Sequence, residues 1–145
     1  MFYWILGRWK QKYGLSSRRG NISYWLSGID LFVENNAILL GSENEEDYPL
    51  IDILPSYGTG RDVESELRYR PLIFGENLTN IAVSGDGVID GNGGLWWKKH
   101  FKRELEWSRP RMIEFMYSSN IVIQDLTLQN SAFWTGKEES YLYCY

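Results

Sequence analysis

The chain is poor in the residues that mark several special classes of protein. One cysteine, Cys144, stands among 145 residues, so no internal disulfide framework can hold it together. The one histidine, His100, lies between Lys99 and Phe101 with no partner motif around it, which argues against a lone catalytic base. No apolar run approaches the roughly 20 residues needed to cross a bilayer. Met1 to Leu6 is apolar and aromatic, but the run is short, and Arg8 and Lys10 follow it instead of preceding it. It does not read as a signal peptide. An excess of positive charge is also missing. The 15 basic and 19 acidic residues leave a net charge of -4, which counts against a nucleic-acid partner but leaves room for a local basic patch.

What is present is ample for a fold. With 43% apolar and 23% charged residues over this length, the chain can bury one globular core and does not resemble a disordered tail. Seven Trp and ten Tyr suit either a large core or a sugar-stacking surface, and composition does not choose between them.

The strongest internal signal is a repeat. Ile29 to Val33, Ile81 to Val83 and Ile121 to Ile123 each alternate apolar and other residues with period two, as half-buried strands do. Each is followed by a polar or glycine corner and a second short apolar run: Ile38 to Leu40, Val88-Ile89 and Leu126 to Leu128. In the first and third copies the expected inward positions change parity across the corner, from 29, 31 and 33 to 38 and 40, and from 121 and 123 to 126 and 128. One straight strand cannot do this, but two strands joined by a bend can. The copies start 52 and 40 residues apart, which suggests stacked coils with insertions. Asn80 and Asn120 precede two of the copies and are candidates for a stacked amide ladder.

Between the units, Ser42 to Ser65 reads as a long surface loop containing Pro49 and Pro55. Tyr69 to Phe74 reads as a strand with Pro71 at its edge, and Arg111 to Tyr117 as another. Leu95 to Trp107 has helical spacing, with Trp97, Phe101 and Leu105 on one apolar stripe and Pro110 barring continuation. The first 24 and last ten residues carry no part of the repeat.

Several ordered motifs resemble one family. Gly87-Val88-Ile89-Asp90-Gly91-Asn92-Gly93 is followed by Trp96-Trp97. Tyr69 to Ile73, Glu76 to Ile81, Ser108-Arg109-Pro110, Leu31 to Ser42 and Leu128 to Thr135 stand in matching order. Together they resemble the plant polygalacturonase-like branch of glycoside hydrolase family 28. The resemblance implies an all-β fold, a right-handed parallel β-helix of the pectin lyase-like type, here truncated and with one short helix near 95–107. It implies secreted hydrolysis of α-1,4-galacturonide bonds in pectin, with inversion and without a metal or other cofactor. Inversion needs one carboxylic acid for the leaving oxygen and one carboxylate to activate water. The family carries these in Asn-Thr-Asp and Asp-Asp motifs, supported by Gly-His-Gly and a substrate-holding Arg-x-Lys. The first three are absent from the sequence, and Arg-x-Lys is absent from the resembling stretch, Ile29 to Thr135. No catalytic residue is therefore assigned.

The expected organisation is an atypical segment over 1–28, the N-terminal part of a β-helix glycosidase domain over 29–135, and an atypical tail over 136–145. The expected partner is pectin or polygalacturonate, with no nucleic acid and no membrane span. The resemblance implies an extracellular or cell-wall location. An uncapped solenoid end is expected to favour self-association. The alternative is a non-catalytic carbohydrate-binding or interaction β-solenoid.

Other side chains have both a functional and a plain reading. Asp86 and Asp90 are the nearest carboxylate candidates, but Asp beside Gly is ordinary turn chemistry. Asp30 and Glu34 read as a solvated face, and Glu43, Glu45, Glu46 and Asp47 as a solvated charge run. Trp96, Trp97, Trp107 and Trp134 can stack sugars, although the stripe places Trp97 in the core. Arg61, Arg68, Arg70, Arg109 and Arg111 can pair with uronate carboxylates, but scattered arginines more often make structural ion pairs. Asn77-Leu78-Thr79 and Asn21-Ile22-Ser23 fit the N-glycosylation pattern, which matters only in the secretory pathway.

Overall fold

The computed structural model describes residues 9–11, 27–53, 67–133 and 142–144. Three coils of a parallel β-helix occupy most of them. The strands are β1 (Trp9–Gln11), β2 (Ser27–Phe32), β3 (Ile38–Leu40), β4 (Leu50–Asp52), β5 (Leu67–Tyr69), β6 (Ile73–Glu76), β7 (Thr79–Ser84), β8 (Val88–Asp90), β9 (Ile113–Met116), β10 (Ser119–Gln124), β11 (Thr127–Gln129) and β12 (Leu142–Cys144), with one helix, α1 (Gly94–Lys102), after β8. Parallel stacking gives one sheet β2-β7-β10, a second β3-β8-β11 and a third β6-β9-β12. The register sets Ile29, Ile81 and Ile121 in one row and Leu31, Val83 and Ile123 in the next. The 52- and 40-residue spacings of the repeat are therefore the lengths of successive coils.

Sharp bends between strands come from residues that tolerate a left-handed backbone. Asn77, Asn80, Asn120, Asn130 and Asp125 all have φ between 51° and 60°, a region that Asn and Asp visit cheaply. The Asn80 and Asn120 side chains stack as the sequence suggests, with Asn120 Nδ2 donating to Asn80 Oδ1 at 3.0 Å. Gly85 makes a closer approach. Its φ is +132°, and a Cβ there would land on the Val33 carbonyl oxygen of the coil below.

The interior is a column of apolar side chains. Val33, Ile81, Val83, Ile89, Ile113 and Phe115 are buried, and Leu31, Leu39, Ile121, Ile123 and Leu128 pack against them. Each such burial contributes about 1.5–3 kcal/mol, so the column outweighs any single hydrogen-bond contact at the surface.

Several expectations need correction. In β3 the inward residue is Leu39, while Ile38 and Leu40 are half exposed. After the corner the inward positions resume at Ala37 and Leu39, so the parity of Val33 is kept, and the register ties Leu39 to Ile89. Three consecutive apolar residues carry no period, so the sequence pattern could not decide this. The stretch after Ser42 is not simply loop: Glu45–Asp47 forms a 3-10 turn and β4 pairs antiparallel with β5. Tyr69 to Phe74 is not one strand, because β5 pairs with β4 and β6 pairs with β9, with the chain bending at a buried Pro71 between them. The helix ends at Lys102, well before Pro110. Arg103 caps it in a left-handed conformation, its N–H donating to the His100 carbonyl at 3.0 Å. The predicted stripe also fails. Trp96 is buried, whereas Phe101 is 77% exposed.

Two strands come from outside the repeat. β1 pairs antiparallel with β2 and covers its outer edge, and β12 extends the third sheet beyond β9. Among the described residues, β3 and β11 stand at the two edges of the second sheet, β10 at one edge of the first and β6 at one edge of the third.

Candidate functional site

The family-like motifs converge on one wall, where the corner after β8, helix α1 and the turn after β11 meet. Asp90, the last residue of β8, is tied from both sides. The Asn92 N–H donates to Oδ1 at 2.8 Å, and the Gln129 and Asn130 amides donate to Oδ2 at 2.7 and 2.9 Å. Asn92 in turn donates to the Gly41 carbonyl at 3.2 Å. One carboxylate thus fastens the second coil to the third, and its turn partner reaches the first. Burial pulls the Asp90 pKa upward, but these three donors outweigh it and hold the carboxyl below its ordinary value. A general acid needs the opposite shift. Asp90 is turn chemistry, as its setting beside Gly91 implies. Asp86 is exposed at the preceding corner and takes no part in this knot.

Beside the knot, Trp97 Nε1 donates to the Ser131 carbonyl at 2.8 Å. The buried Arg109 guanidinium lies 4.0 Å from the Trp97 ring centroid and 5.0 Å from that of Phe133, and it donates to the Ala132 carbonyl at 3.1 Å. Such stacking fixes the turn after β11 against α1. Trp96 sits behind it, edge-on to Tyr48 and Tyr69 at 5.3 and 5.0 Å. Trp107 packs edge-on against Tyr69 at 5.8 Å. Trp96 is thus core, and Trp97 is only partly buried, the reverse of the expectation.

The remaining arginines also have structural partners. Arg68 grips Glu114 with two bonds of 2.7 and 3.0 Å, and Arg111 adds a third at 3.2 Å. Arg68 and Glu114 are both buried. Arg70 lies over Phe74 at 5.1 Å. Arg61, Trp134 and Asn21 fall outside the described residues. The acidic run after Ser42 is not wholly solvated. Glu45 accepts from Lys99 and from the Tyr69 hydroxyl, and these two bonds lower its pKa against the pull of burial. Burial and the Glu45 carboxylate push the Tyr69 phenol up. Sequence reasoning passed over Glu114, although an acid inside the apolar run Ile113 to Met116 was a legible sign of a buried ion pair.

Among the described residues no group of three or more His, Cys, Asp or Glu is placed to hold a metal. The wall can bind and brace, but the carboxylates that it orders are hydrogen-bonded acceptors.

The described strands form a parallel β-helix that carries this Asp-Gly-Asn-Gly corner and aromatic–arginine wall. Residues 58–137 match the family model of the glycosyl hydrolases family 28, and the chain belongs to that family. It is 47% identical over 118 residues to a "Probable polygalacturonase" of Vitis vinifera, covering 76% of this chain and 24% of the relative. A polygalacturonase of Malus domestica is 33% identical over 86 residues, covering 54% of this chain and 18% of the relative. One of Cryptomeria japonica is 42% identical over 60 residues, covering 37% and 12%. The chain thus spans a quarter or less of the length of these relatives.

Proposed function

We propose that the chain supplies N-terminal coils of a polygalacturonase-like hydrolase acting on the α-1,4-galacturonide bonds of pectin, and that by itself it binds pectin without hydrolysing it. The observation that carries this reading is the family match over 58–137 in a chain whose ordered carboxylates serve as fasteners. A reducing-end assay on polygalacturonate tests it. The 145-residue chain should release none. A transcript read across the codons for Trp134 to Lys137 should continue into Asn-Thr-Asp and Asp-Asp motifs, and its product should release them with inversion. Turnover by the short chain, or none by the longer product, would sink the reading.

Action on pectin places the protein outside the cell or in the wall. Asn77 supports that location. It is exposed at the bend between β6 and β7, within an intact Asn-Leu-Thr pattern. A mobility shift on treatment with an N-glycosidase, reduced in Asn77→Gln and in Asn21→Gln and lost in the double variant, checks both sites. The open edge of β3, with Ile38 and Leu40 half exposed, supports self-association through an uncapped end. Sedimentation should show species larger than a monomer, and a clean monomer with one sharp melt would count against it.

A further inference from the structure

We propose that the outward face of α1 is a docking ledge for an unesterified polyuronate chain, a reading that rests on the pectin assignment above. Phe101 is the most exposed large apolar side chain among the described residues, at 77%. It is not isolated. Its ring lies 5.8 Å from Trp97 at 31°, and His100 touches both rings at 5.7 and 6.0 Å. Trp97 is braced by Ser131 and Arg109, but packing of the helix does not call for Phe101, which lies in water while Trp96 fills the core. Basic residues neighbour the rings along the helix. Lys98 and Arg103 are exposed with no partner among the described residues, and Lys102 meets Glu104 only in an open pair at 3.5 Å, which solvent screens. Lys99 is committed to Glu45. From Gly91 to Arg103 there is no acidic residue, although the whole chain carries a net charge of -4.

Positive charge is thus concentrated around an exposed aromatic step on an otherwise acidic protein. A pyranuronate offers the matching pair of surfaces, an apolar C–H face for the ring and one carboxylate per sugar for the cations. Neutral glycans lack the charge. Arg109, stacked on Trp97 at 4.0 Å, holds the inner ring of the ledge in place.

The test is a binding titration of the full chain with unmethylated polygalacturonate, highly methyl-esterified pectin and single-stranded DNA. Wild type should bind the first, and salt should weaken the complex. Phe101→Ala should weaken binding about tenfold, as should the pair Lys98→Gln/Lys102→Gln, which should also flatten the salt dependence. Esterified pectin should bind at least about tenfold more weakly than polygalacturonate. Unchanged circular dichroism keeps both variants interpretable, since all three side chains are exposed. Equal affinity of wild type and variants overturns the ledge. So does failure of wild type to bind polygalacturonate, or a preference for DNA. The hydrolase reading is judged separately, by reducing ends released by the longer product.

Discussion

The amide ladder stops one coil short, and extending it should stabilise the protein. The register pairs Ser27 with Thr79 and Ile29 with Ile81, so Gly28 occupies in the first coil the place of Asn80 in the second. Gly28 has φ +86°, and a Cβ built there meets nothing within 4 Å. Asn80 and Asn120 hold the same bend at φ 56° and 54°, so Gly28→Asn demands only a modest backbone adjustment. The new Oδ1 would accept from Asn80 Nδ2, repeating the 3.0 Å bond between Asn120 and Asn80. An exposed hydrogen bond of this kind adds about 0.5 kcal/mol. Replacing Gly removes unfolded-chain entropy worth about 0.4–1 kcal/mol. After the small cost of the left-handed backbone for Asn, the gain is about 1 kcal/mol, or roughly 3 °C in Tm for a chain of this size. Gly28→Ala is the control: it brings a side chain without an amide and should lower Tm at this positive φ. The decisive assay is thermal unfolding of Gly28→Asn in wild-type and Asn80→Ala backgrounds. The reasoning fails if Tm does not rise, or if the full gain survives in the background without Asn80.

Other outcomes follow from the same structure. Glu114→Ala strands the buried Arg68 and the nearby Arg111, and should cost about 3–5 kcal/mol in a denaturant titration; replacing Arg68 and Glu114 together by Met and Leu should recover part of it. Gly85→Ala should prevent stable folding, judged by soluble yield and circular dichroism, because its Cβ meets the Val33 backbone; Gly94→Ala, open on all sides at the start of α1, should be neutral or stabilise by a few tenths of a kcal/mol. The lowered pKa values of Glu45 and Asp90 mean that the folded state binds fewer protons in acid than the unfolded one. Their stabilisation is full above the ordinary carboxylate range and is lost as pH falls through the lowered values. Burial pushes the Tyr48 phenol up to about 12, so its contribution holds below the ordinary phenol value of 10.0 and is lost as pH rises toward 12. Denaturant midpoints across pH should fall at both ends, and Glu45→Gln should flatten the acid limb.

Much of the fold was legible because a β-helix repeats its solution. The β-branched runs at 29–33, 81–83 and 121–123 announced strands, and Asn80 and Asn120 announced the amide ladder that the structure contains. The turn role of Asp90 could be read from its glycine neighbour; Arg68 and Arg111 make ion pairs, whereas Arg70 and Arg109 lie over aromatic rings. The start of the helix was legible, but its end at Lys102 and its buried side were not. A short helix carrying Trp96, Trp97 and Phe101 has two apolar faces, and only the Tyr48–Tyr69 wall selects Trp96.

The sequence alone thus determined the strands of the repeat, their spacing along the chain and the lack of the hydrolytic acid motifs, because these depend on local backbone preference and on which residues are present. Tertiary structure decided which of several apolar residues faces inward, as with Leu39 over Ile38 and Leu40. It decided that Arg68 meets Glu114 across 46 positions, and that Glu45 reaches Lys99 across 54. It also left Phe101 in water. Those choices depend on corner length and on the stacking of one coil on the next, which no local stretch of sequence contains.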